Sequence, residues 1–310
     1  MAVILLFISG LGLFLYGIRV LSNNIEKAAG NRFKSILFRL TSNKISGIIL
    51  GFFVTAAMQS SSAVTVMLVS MVNANVMTLD QTLGIIMGAN IGTTITAQLI
   101  ILDIYKYTPV ILILGSLMSI ICKRKRNRII GEILAGFGMI FTGMEMMKQA
   151  TLPLKGNAFI QHSLIEMSIN PLLAVAVGFC ITALVQSSSA GIAMIQALAA
   201  HGMLSLDAAL PLLFGQNIGT CITALMSSIG TNIAARRVAV MHMLFNVIGT
   251  MAIILCLPLF QDLVVHVSPR SIPRQIANAH TLFNIITTIM LYPFGNKLII
   301  LTTKLVGRKK

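Results

Sequence analysis

The chain has 310 residues, 56% of them hydrophobic and only 10% charged, with no Trp and a formal net charge of +15. A soluble domain of this length needs about a quarter of its residues charged, so the composition excludes an ordinary soluble protein and indicates a multispanning membrane protein. A nucleic-acid surface is excluded too: it needs basic residues spread over a soluble face with stacking aromatics, whereas here they flank apolar runs, as in Lys123-Arg124-Lys125-Arg126-Asn127-Arg128.

In chain order, apolar segments of bilayer-spanning length, about 20 residues, run from 2 to 22, 81 to 101, 129 to 148, 208 to 229, 238 to 258 and 276 to 294, with a shorter one near 108 to 122. The first lacks a basic leading stretch and a small-residue cleavage site, so it reads as a retained helix. From 31 to 40, Arg32, Lys34 and Arg39 alternate with Phe33, Ile36, Leu37, Phe38 and Leu40, which predicts an amphipathic helix lying at the membrane interface. Two stretches, 46–77 and 171–204, are apolar at both ends but broken in the middle by Gln-Ser-Ser-Ser. Each arm then holds about 13 to 15 residues, too few to cross at about 1.5 Å per residue. Re-entrant helical hairpins fit better, with polar tips surrounded by protein or a water-filled cavity.

The chain contains itself twice. Gln59-Ser60-Ser61-Ser62-Ala63 returns as Gln186-Ser187-Ser188-Ser189-Ala190, and the same shift carries Gly51 onto Gly178, Thr55 onto Thr182, Leu79-Asp80 onto Leu206-Asp207, and Asn90-Ile91-Gly92-Thr93 onto Asn217-Ile218-Gly219-Thr220. Gly10, Gly12 and Gly17 likewise match Gly136, Gly138 and Gly143. Three crossings separate equivalent helices, and an odd number reverses orientation, so the repeats are expected to be inverted about a pseudo-two-fold axis in the membrane plane. The expected fold is an all-α polytopic membrane protein of two inverted repeats, each with a re-entrant hairpin and a discontinuous helix. Residues 1–128 form the first repeat, 129–260 the second, and 261–310 a final transmembrane helix with a basic tail. With the first helix running inward, Lys27, Arg32, Lys34, Arg39 and Lys44, the 123–128 cluster, Arg236-Arg237 and the tail all fall in the cytoplasm, as the charge rule requires. Lys106, Lys155, Arg270 and Arg274 fall outside, as scattered single cations.

Both copies keep three consecutive serines in an apolar setting, where each hydroxyl without a partner costs about 1–3 kcal/mol. Hydroxyls can coordinate Na+ and also donate to an oxyanion, and serines opening the second arm would add free backbone N–H groups at the positive end of a helix. No Arg or Lys occurs from 47 to 102 or from 156 to 235, so an anion there would be held by dipoles and sodium. The bland reading is that the serines satisfy backbone groups at a bend. Gly88-Ala89-Asn90-Ile91-Gly92-Thr93-Thr94 and Gly215-Gln216-Asn217-Ile218-Gly219-Thr220-Cys221 are expected to interrupt their helices and to offer carbonyl and hydroxyl oxygens to a hard cation. Close packing through small residues is the alternative.

Other polar residues read structurally. Asp80 and Asp207 follow Thr78 and Ser205 at helix starts, as capping residues do. His242-Met243-Leu244-Phe245-Asn246 and His280-Thr281-Leu282-Phe283-Asn284 repeat at a shift of 38, with no counterpart in the first repeat, and their His and Asn are expected to bond between helices. The four cysteines lack metal or redox spacing.

With both Gln-Ser-Ser-Ser and both Asn-Ile-Gly-Thr segments, the chain resembles the sodium/phosphate cotransporter family of bacterial Na/Pi symporters and animal type II phosphate cotransporters. The resemblance implies sodium-driven transport of inorganic phosphate, no catalysis and no cofactor beyond Na+ as the co-transported ion. It places substrate on Gln59, Ser60, Ser61, Ser62, Gln186, Ser187, Ser188 and Ser189. It gives sodium to Thr55, Gln59, Asn90, Thr93, Thr182, Gln186, Asn217 and Thr220. Another oxyanion, sulfate or a carboxylate, is the competing substrate, and an anion channel is a further alternative. The expected partners are phosphate, Na+ and the lipid bilayer, in a multi-pass bacterial plasma membrane protein that is compatible with homo-oligomerisation. Many bacterial relatives carry a PhoU-like domain after the membrane region, and none is expected here, because the sequence closes on a short basic tail.

Overall fold

The computed structural model describes residues 2–29, 43–102 and 107–307, and the described residues are helical with no strand. In chain order the helices are α1 (Ala2–Ala29), α2 (Lys44–Met58), α3 (Ser61–Asn73), α4 (Leu79–Gly92), α5 (Thr94–Ile100), α6 (Thr108–Ile121), α7 (Lys125–Thr151), α8 (Ala158–Ile169), α9 (Pro171–Val185), α10 (Ser188–Ala200), α11 (Leu206–Ser227), α12 (Ile233–Leu255), α13 (Leu257–Val267), α14 (Ile272–Leu291) and α15 (Gly295–Leu305). Six helical stretches are long and apolar enough to cross a membrane, seven if the pair α8–α9, bent by 117°, counts as one. The protein is an all-α polytopic membrane protein. The interfacial helix expected over 31–40 lies outside the described residues.

The two interrupted stretches are helical hairpins with arms of 15 and 13 residues in both copies. Each first arm packs along the helix that follows its hairpin, α2 on α4 and α9 on α11. In lipid there is little hydrophobic drive between helices, so close backbone approach and dispersion contacts hold such pairs. Glycine provides the approach. A Cβ on Gly51 would overlap the Ile85 carbonyl and one on Gly178 the Leu212 carbonyl; one on Gly88 would overlap the Ile48 carbonyl and one on Gly215 the Val175 carbonyl. These contacts repeat residue for residue at the shift read from the sequence.

The glycines of α1 and α7 meet each other. A Cβ on Gly10 would lie 2.8 Å from the Gly143 oxygen, and one on Gly17 would lie 2.8 Å from the Gly136 oxygen. An early position on α1 therefore faces a late one on α7, so the two helices are antiparallel.

Two expectations change. The interruption at the Asn-Ile-Gly-Thr segments occurs only in the first copy, where α4 ends at Gly92 and α5 begins at Thr94. In the second copy α11 runs unbroken from Leu206 to Ser227, because Thr220 bonds back to the Gln216 carbonyl and Cys221 approaches that of Asn217 at 3.6 Å, keeping the turn closed. The short helices α8 and α13 lie in stretches the sequence reading left without elements. Asn170 caps α9 through the Leu173 N–H with Pro171 in the first turn, which turns the chain sharply at the α8–α9 junction.

Candidate functional site

Both Gln-Ser-Ser-Ser motifs adopt one backbone. Gln59 ends α2 in the left-handed region at φ 51°, and Gln186 ends α9 at φ 56°. Such a residue closes a helix, and for a side chain other than Gly, Asn or Asp it is uncommon. Ser60 then caps α3 by accepting from the Ala63 N–H at 3.1 Å, and Ser187 caps α10 by accepting from the Ala190 N–H at 3.2 Å. Each cap contributes about 1 kcal/mol to its helix.

The next two serines differ from many serines within the helices. Ser70, Ser119, Ser163 and Ser227 each donate to a carbonyl three or four residues back. Ser61, Ser62, Ser188 and Ser189 open a helix, where the left-handed turn has removed such a carbonyl, and their hydroxyls make no hydrogen bond among the described residues. Ser61, Ser188 and Ser189 are buried, and Ser62 is half-buried. The first N–H groups of a helix also lack intrahelical partners, so each tip offers hydroxyls and amide donors at the positive end of a helix dipole. Bend satisfaction explains Ser60 and Ser187 but not the serines that follow.

The glutamines differ between copies. Gln59 is buried, accepts from the Thr96 hydroxyl at 2.7 Å and donates to the Ala56 carbonyl at 2.5 Å. Gln186 is exposed, with Met226 Sδ at 3.6 Å from its Nε2. Ser22 of α1 donates to the Met58 carbonyl at 2.8 Å and so steadies the first tip. Neither Ser22 nor Thr96 carries a sequence signal, since each acts across helices on a residue 36 or 37 positions away.

Thr55 and Thr182 are fully buried, and neither hydroxyl has a hydrogen-bond partner among the described residues. A Cβ on Gly92 would lie 2.9 Å from the Thr55 Cβ, and one on Gly219 would lie 2.8 Å from the Thr182 Cβ, which places each threonine beside an Asn-Ile-Gly-Thr segment. Thr93 is buried at the α4–α5 break and makes no side-chain cap bond. Thr220 instead donates to the Gln216 carbonyl at 2.9 Å.

Asn90 and Asn217 face the His-x-Leu-Phe-Asn helices. His242 Nε2 lies 3.4 Å from Asn90 Oδ1, and His280 Nε2 lies 3.1 Å from Asn217 Oδ1. An amide oxygen only accepts, so each Nε2 is the donor. The first repeat has no His-x-Leu-Phe-Asn copy of its own, yet both asparagines are served, Asn90 by α12 and Asn217 by α14. Among the described residues no hydrogen bond links the first motif to the second, and no three His, Cys, Asp or Glu side chains gather as a metal site. Asp80 and Asp207 occupy first turns capped by Thr78 and Ser205, away from the tips.

Comparisons with known proteins identify the family. Residues 13–149 and 153–262 match the family described as Na+/Pi-cotransporter. The chain is 26% identical over 274 residues to "Putative inorganic phosphate export protein YjbB" of Salmonella typhimurium, covering 88% of this chain and 50% of that protein. It is 28% identical over 288 residues to "Uncharacterized protein YqeW" of Bacillus subtilis, covering 91% and 92%. With "Sodium-dependent phosphate transport protein 2A" of Ovis aries it shares 38% identity over 101 residues, 31% of this chain and 16% of that one. The chain thus spans about half the length of the enteric relatives it matches. No solved structure matches.

Proposed function

The chain belongs to the Na+/Pi-cotransporter family, and on that premise we propose that it carries inorganic phosphate across the membrane by Na+-coupled symport with alternating access. The observation that carries this reading is the pair of matching tips, each presenting serine hydroxyls free of protein partners at the start of a helix. Phosphate accepts hydrogen bonds on every oxygen. Ser61, Ser62, Ser188 and Ser189 with their backbone N–H groups are donors of the right chemistry, and Ser60 and Ser187 set the helix starts. No lysine or arginine lies in either motif, so co-bound Na+ supplies the compensating charge.

Neutral oxygens suit Na+ as a hard cation. The unpartnered Thr55 and Thr182 hydroxyls are the leading ligands, with Gln59, Gln186, Thr93 and Thr220 nearby in sequence or packing. Asn217 keeps a second lone pair on its Oδ1 beyond the one facing histidine, whereas the Asn90 Oδ1 also faces the Asn246 amide; in both, the imidazole orients the oxygen as an outer partner orients a metal ligand. The antiparallel glycine seam of α1 and α7 supports inversion of the two copies: Gly10 meets Gly143, while their counterparts Gly136 and Gly17 meet each other. Contacts of this reciprocal kind arise about a two-fold axis. The tips then approach from opposite faces, and rocking one bundle against the other exposes the site alternately. A symporter runs with the combined gradient, so the same machinery serves import or the export in the name of the enteric relatives.

Uptake of labelled phosphate into proteoliposomes tests this. Faster uptake under an inward Na+ gradient than under an equal K+ gradient is expected; equal uptake would eliminate sodium coupling. Hydroxyls and helix ends bind oxyanions in general, so competition by sulfate or a carboxylate against phosphate uptake decides the substrate.

A further inference from the structure

The two copies match so closely around their hairpins that an exchange of side-chain volume between them is informative. At the shift of the repeat, Val64 and Ala89 of the first copy become Gly191 and Gln216 of the second. Val64 and Ala89 are buried in one apolar cluster. In the second copy the volume has moved to the other helix: a Cβ on Gly191 would lie 2.7 to 3.0 Å from the three amide atoms of Gln216. The amide fills the space that a side chain at 191 would take.

This places a polar group at the tip. Gly191 follows Ser188 by three residues in the first turn of α10, so the Gln216 amide lies against the turn that carries Ser188 and Ser189. Gln216 is 1% exposed, and its Oε1 has no hydrogen-bond partner among the described residues. Gln216 also lines a largely apolar cavity of about 360 Å³ with Ile181, Met194, Ile195 and Leu212, and the Thr151 hydroxyl at that cavity is already donated to the Lys148 carbonyl. A buried amide oxygen left without a partner is destabilising, whereas the Ala and Val of the first copy would have filled the same space without that cost.

A second unpartnered oxygen is close by. Thr182 packs against Gly219, one helical turn beyond Gln216 on α11, and residues three apart share a helix face. The first copy has the matching Thr55 hydroxyl but only Ala89 in place of the amide.

We propose that Gln216 is a specificity-determining residue of the second copy, its amide oxygen adding to the Thr182 hydroxyl a cation ligand that the first copy lacks, so that the two copies bind Na+ unequally. The inference rests on the Na+ coupling proposed above. Ligand number is a main control on affinity for hard cations, so the second copy fills at lower Na+ concentration than the first. The loading order is then set by this amide together with the different burial of the two motif glutamines, the motif sequences being identical.

The test is the Na+ dependence of phosphate uptake in proteoliposomes for two variants. Gln216→Met keeps the volume and removes the oxygen, and Gln216→Ala combined with Gly191→Val rebuilds the packing of the first copy. Both are expected to raise the Na+ concentration for half-maximal uptake by about five- to ten-fold, as loss of one charge-assisted contact does, with the phosphate KM at saturating Na+ unchanged. A packing role predicts instead that the double variant behaves as wild type. Wild-type Na+ activation in either folded variant would overturn the inference and leave sodium coupling intact. Wild-type uptake that ignores Na+ would remove the coupling, and the inference with it.

Discussion

His242 and Asn90 stand 152 residues apart in the chain, yet the His242 Nε2 lies 3.4 Å from the Asn90 Oδ1 in a buried contact. Asn246, one turn further along α12, brings its Nδ2 to 3.4 Å from the same oxygen. The first copy of the repeat is thereby completed by a helix of the second.

This contact predicts coupling. His242→Ala and Asn90→Ala should each lower the thermal stability of the purified protein, and the double variant should lose less than their sum, by about 0.5–1.5 kcal/mol, the range for hydrogen bonds between membrane helices. His242→Ala with Asn217→Ala should be additive, since Asn217 pairs with His280. Additivity in both pairs would show that the contact carries no energy.

The serine hydroxyls should divide by position. Ser61→Ala or Ser188→Ala is expected to lower phosphate uptake efficiency about ten-fold, the value of one hydrogen bond to a charged group. Ser70→Ala removes a hydroxyl that already serves the Val66 carbonyl and should leave uptake unchanged. Initial rates across a phosphate series, with monodispersity in detergent as the folding check, separate the two classes.

Thr96→Val removes the 2.7 Å bond to Gln59 Oε1 while keeping the shape of the side chain. The amide then keeps only its bond to the Ala56 carbonyl. The expected result is a Na+ half-activation raised about three-fold, the effect of a hydrogen bond worth somewhat under 1 kcal/mol, with maximal uptake retained. An unchanged Na+ curve would detach Gln59 from cation binding.

Gly10 and Gly12 share a helix and should respond in opposite directions. Gly10→Ala places a Cβ 2.8 Å from the Gly143 oxygen and from the Met146 Cβ, so about 1–3 kcal/mol of overpacking is expected. Gly12 has nothing within 4 Å of a built Cβ, and Gly12→Ala should gain about 0.5–1 kcal/mol from helix propensity. Thermal melts of the two variants decide this.

Much of the fold was legible because duplication and apolar length are local properties. The arms around Gln59 and Gln186 can be counted from the sequence, and the interlocking of Gly51 with Ile85 and of Gly178 with Leu212 follows the same shift as the motifs. The pairing of His242 with Asn90 was not legible, because the two segments repeat at shifts of 38 and 127 and nothing in either says which helix meets which. The unbroken α11 was missed for another reason. Gly, Asn and Thr weaken a helix on average, but Thr220 and Cys221 bond back to the preceding turn and hold it closed. Gln216 reads as an ordinary polar residue until Gly191 is seen to make room for it.

The tie between α3 and α12 has a consequence for synthesis. Asn232, which caps α12, donates its backbone N–H to the Asn73 Oδ1 at 2.9 Å and its side-chain amide to the Asn73 carbonyl at 3.0 Å. Val64, Leu68 and Val69 of α3 are buried in the same cluster as Val238 and Phe245 of α12. The 159 residues between Asn73 and Asn232 take roughly ten to thirty seconds to translate at ordinary rates. During that time a half-length helix with three serines at its start must wait in or beside the insertion machinery without its final neighbours. The first hairpin is made early and docked late, and a nascent chain halted before α12 would present that hairpin to quality control as unfinished.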